Sequence, residues 1–189
     1  MKKSLGANVH LQPAPVWIVG SYIEEDKPNI MTASWSGICN SSPPCVYVSL
    51  QKTRSSYQGI LDHNAFTINI PSSSQMKEAD YIGIVKGKNT DKFADTKFTP
   101  VKSEVVNAPY VEECPLVIEC KVINKVELGS HTMFIGQIID TKADESVLNP
   151  EGNPDMSKID PFLFSTGEMD YYKIGEKFSK AFIYKNLEN

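Results

Sequence analysis

Chemistry is concentrated where the run Ser49-Leu50-Gln51-Lys52-Thr53-Arg54-Ser55-Ser56 passes from a β-rich stretch into a helical one. Two hydroxyls, a guanidinium fork and the free N–H groups of a first helical turn are the donor set a phosphate monoester takes. The same residues also read as an ordinary capped helix beside a surface arginine. Lys92, next to Phe93 in "TDKFAD", offers a second cation, and by itself that stretch also reads as a solvated loop. The run "NIMTASW" is different in kind: Thr32, Ala33 and Ser34 stand where a packed strand prefers bulky β-branched residues. Small side chains let something flat or charged approach the peptide groups. Trp35 either plugs the core or presents a flat surface to a flat ligand. His131 is either a turn residue or an imidazole able to donate to a ring carbonyl or guide a proton.

Several familiar chemistries are absent from the sequence. Gly83–Asn89, "GIVKGKN", approaches a triphosphate-binding loop but is one residue short, lacks the metal-binding hydroxyl and follows a helix-like run. No G-x-G-x-x-G follows a strand, and no G-x-S-x-G occurs. His10, His63 and His131 lie far apart, so no metal site is expected. Cys39, Cys45, Cys114 and Cys120 fit neither a zinc knuckle nor a C-x-x-C motif and read as small buried hydrophobes.

The elements that must position these residues are mostly strands. "PVWIVGSYI", "NIMTASW", "PPCVYVSL" and "AFTINI" are short β-rich runs, the first three separated by the breakers "EEDKP" and "NSSPP". "RSSYQGILDHN" predicts one short helix, and "SQMKEADYIGIV" another with Ser74 as its N-cap. In "PLVIECKVINKV", Leu116, Ile118, Cys120 and Val122 alternate with Glu119 and Lys121, the period of a sheet with one wet face. After the turn "ELGSH", "TMFIGQIIDTKA" is its hairpin partner. Six or seven antiparallel strands with two short helices predict a small closed or nearly closed β-barrel. Beyond Glu145 a proline-containing loop leads into the aromatic run "FLFSTGEMDYYKIGEKF", expected to fold over the barrel mouth, a partner subunit or a ligand.

The 189 residues carry a formal net charge of −4 with 22% charged residues. No basic field exists to attract a nucleic acid or an anionic membrane, so a small molecule or another protein is the expected partner. No apolar run reaches the ~18 residues of a membrane span and the start lacks the apolar core of a secretory signal, which predicts a cytoplasmic chain. No repeat or linker divides it, and a single domain over residues 1–189 is expected.

The ordered series "PAPVWIVG", "NIMTASW", "PPCVYVSL", "TRSSY", "FTINIP", "DKF", "CPLVIEC" and "GSH" resembles the flavin reductase-like family, from about Pro13 to the region of Tyr171. The resemblance implies an FMN-binding split β-barrel, antiparallel and Greek-key-like, with FMN at a homodimer interface. It implies that Asn29 and Trp35 line the flavin site and that Ala33 and Ser34 give the ring access to peptide groups. Arg54, Ser55, Ser56 and Lys92 would hold the phosphate and ribityl chain. Ser56 stands where relatives often carry Thr, and the hydroxyl is kept. His131 and Phe164 would border the ring, with Thr32, Ser49 and Leu50 completing the set. The chemistry would belong to the flavin N5, and His131 is the side-chain candidate for a catalytic role. Two activities follow from the resemblance: an FMN-bound electron carrier serving a redox protein or small acceptor, or a reductase that uses NADH or NADPH to supply reduced flavin. A non-catalytic flavin-binding module is a third.

Overall fold

The computed structural model describes residues 1–24 and 26–182. Its strands are β1 (Ala14–Pro15), β2 (Trp17–Ile23), β3 (Lys27–Ala33), β4 (Ser36–Ser41), β5 (Pro44–Gln51), β6 (Ala65–Ile70), β7 (Pro100–Lys102), β8 (Pro109–Val111), β9 (Leu116–Leu128), β10 (His131–Ala143), β11 (Phe162–Ser165) and β12 (Asp170–Lys173). Its helices are α1 (Ser55–His63), α2 (Met76–Ile84), α3 (Lys92–Thr96) and α4 (Met156–Ile159).

Seven strands form one antiparallel sheet in the order β3-β2-β6-β9-β10-β5-β4. Its two edge strands, β3 and β4, are consecutive in the chain and joined only by Ser34 and Trp35. Laid flat, seven strands would set the edges about 29 Å apart, whereas three Cα–Cα steps reach at most about 11 Å. The sheet must therefore curl into a barrel whose two edges meet at Ser34–Trp35. At this join the Ser49 N–H donates to the Trp35 carbonyl at 2.8 Å.

Each face of β2 and β3 is covered, which the period-two placement of apolar residues requires. Val19 and Met31 point into the barrel with Val46, Val48, Leu50, Phe66, Ile68 and Phe134, while Ile18 and Ile30 meet Ala79 and Ile82 of α2 and Phe93 of α3. Burying side chains of this size contributes about 1.5–3 kcal/mol each. The segment after Glu145 closes the barrel interior by inserting Val147 and Ile159, and its aromatic continuation forms the β11–β12 hairpin that pairs with β1.

Four expectations need correction. The N-cap of α2 is Gln75, not Ser74, and the capping box lies one turn earlier, where Ser72 and Gln75 open a short 3-10 turn over Ser73–Gln75. Glu119 does not face water. It is buried under β8 and pairs with Lys142, whose ammonium also reaches Asp140 at 3.1 Å. Cys39 is exposed on β4, unlike Cys45, Cys114 and Cys120, and burial pushes the Cys114 and Cys120 thiols well up. Strand β4, "SGICNS", is absent from the runs read as strands, because an outer hairpin strand with Ile38 80% exposed carries no apolar alternation. No helix among the described residues is long and apolar enough to cross a membrane.

Candidate functional site

The expected phosphate end is built where β5 hands over to α1. Arg54 is the N-cap of α1 and its side chain makes no capping bond, so the first-turn N–H groups are not satisfied by a side chain there. The guanidinium turns to α2, where Nη1 donates to the Gly83 carbonyl at 3.0 Å. Ser56 is buried, and its hydroxyl accepts from Asn29 Nδ2 at 2.8 Å across from β3. Lys92 is the first residue of α3 and only 5% exposed, and its ammonium donates to the Ile82 carbonyl at 2.9 Å. The stretch is thus a short helix with a buried cation and not a solvated loop.

Asn29, Arg54, Ser55, Ser56 and Lys92 surround a cavity of about 210 Å³, completed by Gln51, Thr53 and Ile84–Gly87. Arg54, Lys86 and Lys92 are its cations, and among the described residues no carboxylate lines it. Burial, reinforced by the Arg54 charge, pulls the Lys92 ammonium down to about 8. Like charges held together around a cavity are costly unless an anion joins them. The stretch Gly83–Asn89 begins in the last turn of α2 and runs on as a loop, and Ile84–Gly87 wall this cavity. At Gly87 a Cβ would stand 2.1 Å from Asn29 Oδ1 and 3.4 Å from Ser55 Cβ, so only glycine lets this chain segment approach.

The second cleft, about 410 Å³, shares Met31, Gln51, Arg54 and Ile84 with the first. One side is the barrel join: Thr32, Ala33, Ser34, Trp35, Ser49, Leu50 and His131. Trp35 is 42% exposed, which removes it from the core, and its ring stacks near the His131 imidazole with centroids 6.4 Å apart and planes at 10°. His131 Nδ1 lies 2.9 Å from Ser130 Oγ. The facing wall comes from α2 and the late hairpin: Asp80, Gly83, Phe164, Met169 and Tyr171.

Part of the small-residue run has a packing role. Thr32 Oγ1 donates to the Ala79 carbonyl, and a Cβ on Gly83 would lie 3.3 Å from Thr32 Cβ, so bulk at Thr32 would push α2 away. Ala33 is buried in the barrel, leaving Ser34 and Trp35 as the residues most open to the cleft.

All thirteen residues expected at the site line one cleft or the other. Gln51, Thr53, Lys86, Met169 and Tyr171 lie in stretches the sequence singles out without being picked as site residues, and Asp80 carries no local signal; all reach the clefts through the packing of separate segments. Gly87 had a signal, a glycine between two lysines, that was read only against the triphosphate template.

The family profile described as "Flavin reductase like domain" matches residues 9–173. Among solved structures, the flavoredoxin of Desulfovibrio vulgaris (Miyazaki F) is 49% identical with a TM-score of 0.93, covering 98% of this chain and 100% of that one. A flavoredoxin from Methanosarcina acetivorans is 30% identical with a TM-score of 0.88, over 99% and 98% of the two chains. Nitrilotriacetate monooxygenase component B from Bacillus cereus shares the fold at 22% identity and a TM-score of 0.83, over 95% and 100%.

Proposed function

The chain belongs to the flavin reductase-like family, and from that premise we propose that it retains FMN and carries electrons through it to a redox protein or small acceptor. One observation carries this reading: a cavity lined by three cations and no carboxylate, among the described residues, shares a wall with a cleft edged by an exposed indole. That pairing of donor set and shape fits a phosphate monoester attached to a planar ring, as in FMN.

Bound there, FMN would supply the redox centre through its ring N5. The protein's own contribution is placement. Arg54 and Lys92 would neutralise the phosphate dianion, and Ser56, already accepting from Asn29, keeps its hydroxyl proton free to donate outward. The Ser34 peptide lies beside small side chains and can reach the polar edge of a ring, while the Ser49 N–H, held by the Trp35 carbonyl, leaves that residue its hydroxyl to offer. Trp35 and His131 together present aromatic surface on one side, while α2 and the β11–β12 hairpin exclude water on the other.

The reading includes a homodimer. β4 pairs with β5 on one side only and carries the exposed Ile38 directly after the cleft residue Trp35, so a second copy covering this edge would bury it and complete the ring site. Sedimentation of the purified protein should give twice the chain mass, and Ile38→Asp should return it to the monomer.

The central test is an anaerobic absorbance titration of the FMN-loaded protein with NADH and then NADPH. A flavin band that stays oxidised until dithionite or a reduced partner protein is added supports the carrier. Fast bleaching by either nucleotide would make the chain a flavin reductase instead.

A further inference from the structure

Asp80 and Tyr171 line the ring cleft but take no part in the cation-lined cavity beside it. Asp80 sits on α2, whose Ala79 and Ile82 are buried against β3, which leaves Asp80 and Gly83 toward the cleft. The Tyr171 hydroxyl donates to Asp80 Oδ1 at 2.9 Å, and its ring is wedged by Phe162 and Phe164 at centroid distances of 5.4 and 5.7 Å. Burial and the Asp80 acceptor push the Tyr171 phenol up to about 12, so it remains a donor at neutral pH.

The second carboxylate oxygen, Oδ2, receives no hydrogen bond among the described residues, and no cation there lies within ion-pair distance of Asp80. Arg54, the cation that also lines this cleft, has Nη1 committed to the Gly83 carbonyl. The ring cleft therefore holds one fixed carboxylate that no protein charge neutralises by direct contact.

We propose that Asp80, oriented by Tyr171, is the negative charge of the ring cleft and lowers the reduction potential of the flavin bound there, making it the stronger electron donor. The proposal rests on the flavin reading above. Uptake of two electrons and one proton leaves the ring one unit more negative than before. A carboxylate fixed beside the ring opposes that change more than it opposes binding of the oxidised ring. The reductant in the test is an electrode with soluble mediators, which supplies both electrons, and the buffer supplies the proton.

The experiment is anaerobic spectroelectrochemistry of the FMN-loaded protein, with flavin retention measured first on each variant. Asp80→Asn should shift the midpoint potential upward, and Asp80→Glu, which keeps the charge, should return it toward the starting value. Tyr171→Phe keeps the carboxylate while removing the donor that disperses its charge, so its potential should stay at or below that of the unaltered protein. An unchanged potential in Asp80→Asn overturns the proposal. So does an equal upward shift in Asp80→Asn and Tyr171→Phe, which would assign the effect to loosened packing of the hairpin. Failure of the unaltered protein to retain FMN removes the flavin reading and this proposal with it, whereas retention with an unmoved potential removes this proposal alone.

Discussion

The two ends of the site are built on opposite principles. At the cation-lined end, polar groups are buried and already committed to the protein: Asn29 to Ser56, Arg54 to Gly83, Lys92 to Ile82. At the ring end, aromatic side chains alternate with short polar ones, the surface is partly open to water, and it is supplied by segments more than a hundred residues apart in the chain. The first end spends charge on affinity and is fixed before a ligand arrives. The second has room to accept a ring and a reaction partner, and it sets one carboxylate, Asp80, against the Arg54 cation shared with the first end.

The largest effect should come from removing the charge of the first end. Each charge-assisted hydrogen bond is worth about 1.5–3 kcal/mol, so Arg54→Ala with Lys92→Ala should weaken FMN binding by roughly a thousandfold in a fluorescence titration. Riboflavin, which lacks the phosphate, should bind the double variant as it binds the unaltered protein. A parallel loss for riboflavin would show that these residues hold up the ring cleft and that the two ends are one unit.

Gly87→Ala comes next. Its Cβ would collide with the Asn29 amide, and overpacking of this kind costs about 1–3 kcal/mol. FMN affinity should fall about ten- to a hundredfold, with a lower melting temperature, and unaltered values in both would mean that the 84–88 segment yields freely.

A pH series sharpens the comparison without mutation. With Lys92 near 8 in the empty site, the ammonium is lost as pH rises through that value. FMN affinity should then drop about tenfold between pH 7 and 9, while riboflavin affinity stays level. The sign for the free protein is the reverse. A lysine whose folded value lies below its unfolded one destabilises the fold while both states are charged, fully so below about 8, and the penalty is relieved as pH climbs toward the unfolded value. Thermal unfolding of the FMN-free protein should therefore show a stability gain over that window.

The smallest effect belongs to Trp35→Ala. An aromatic contact contributes about 0.5–1.5 kcal/mol beyond area, so FMN and riboflavin should both weaken about fivefold. A loss confined to FMN would move the indole's influence to the wrong end.

What the sequence made legible divides in the same way. Strands β2, β3, β5, β6, β9 and β10 could be read because both or alternate faces are buried and the apolar spacing records it. β4 left no record, since its residues face water on an outer edge. Alternation places Glu119 toward water because it reports parity, not coverage, and β8, only a short way earlier in the chain, folds back over that face. Residues of the cation-lined end sit at element boundaries with local signals, as Arg54 and Ser56 do at the start of α1. Asp80 and Tyr171 meet across 91 positions of sequence, and nothing local at either residue marks the contact.

The Ser34–Trp35 link does two jobs with two residues, since it joins the barrel's edge strands and walls the ring cleft. Lengthening it would loosen the join where the Ser49 N–H meets the Trp35 carbonyl and move Trp35 away from His131, even though the β4–β5 register, held by its own turn after Ser41, would stay. The outside wall differs: β11 and β12 belong to a separate small sheet, so a change in the length of their turn leaves the barrel intact. The molecule thus separates a length-locked half of its site from a half that is free to be rewritten.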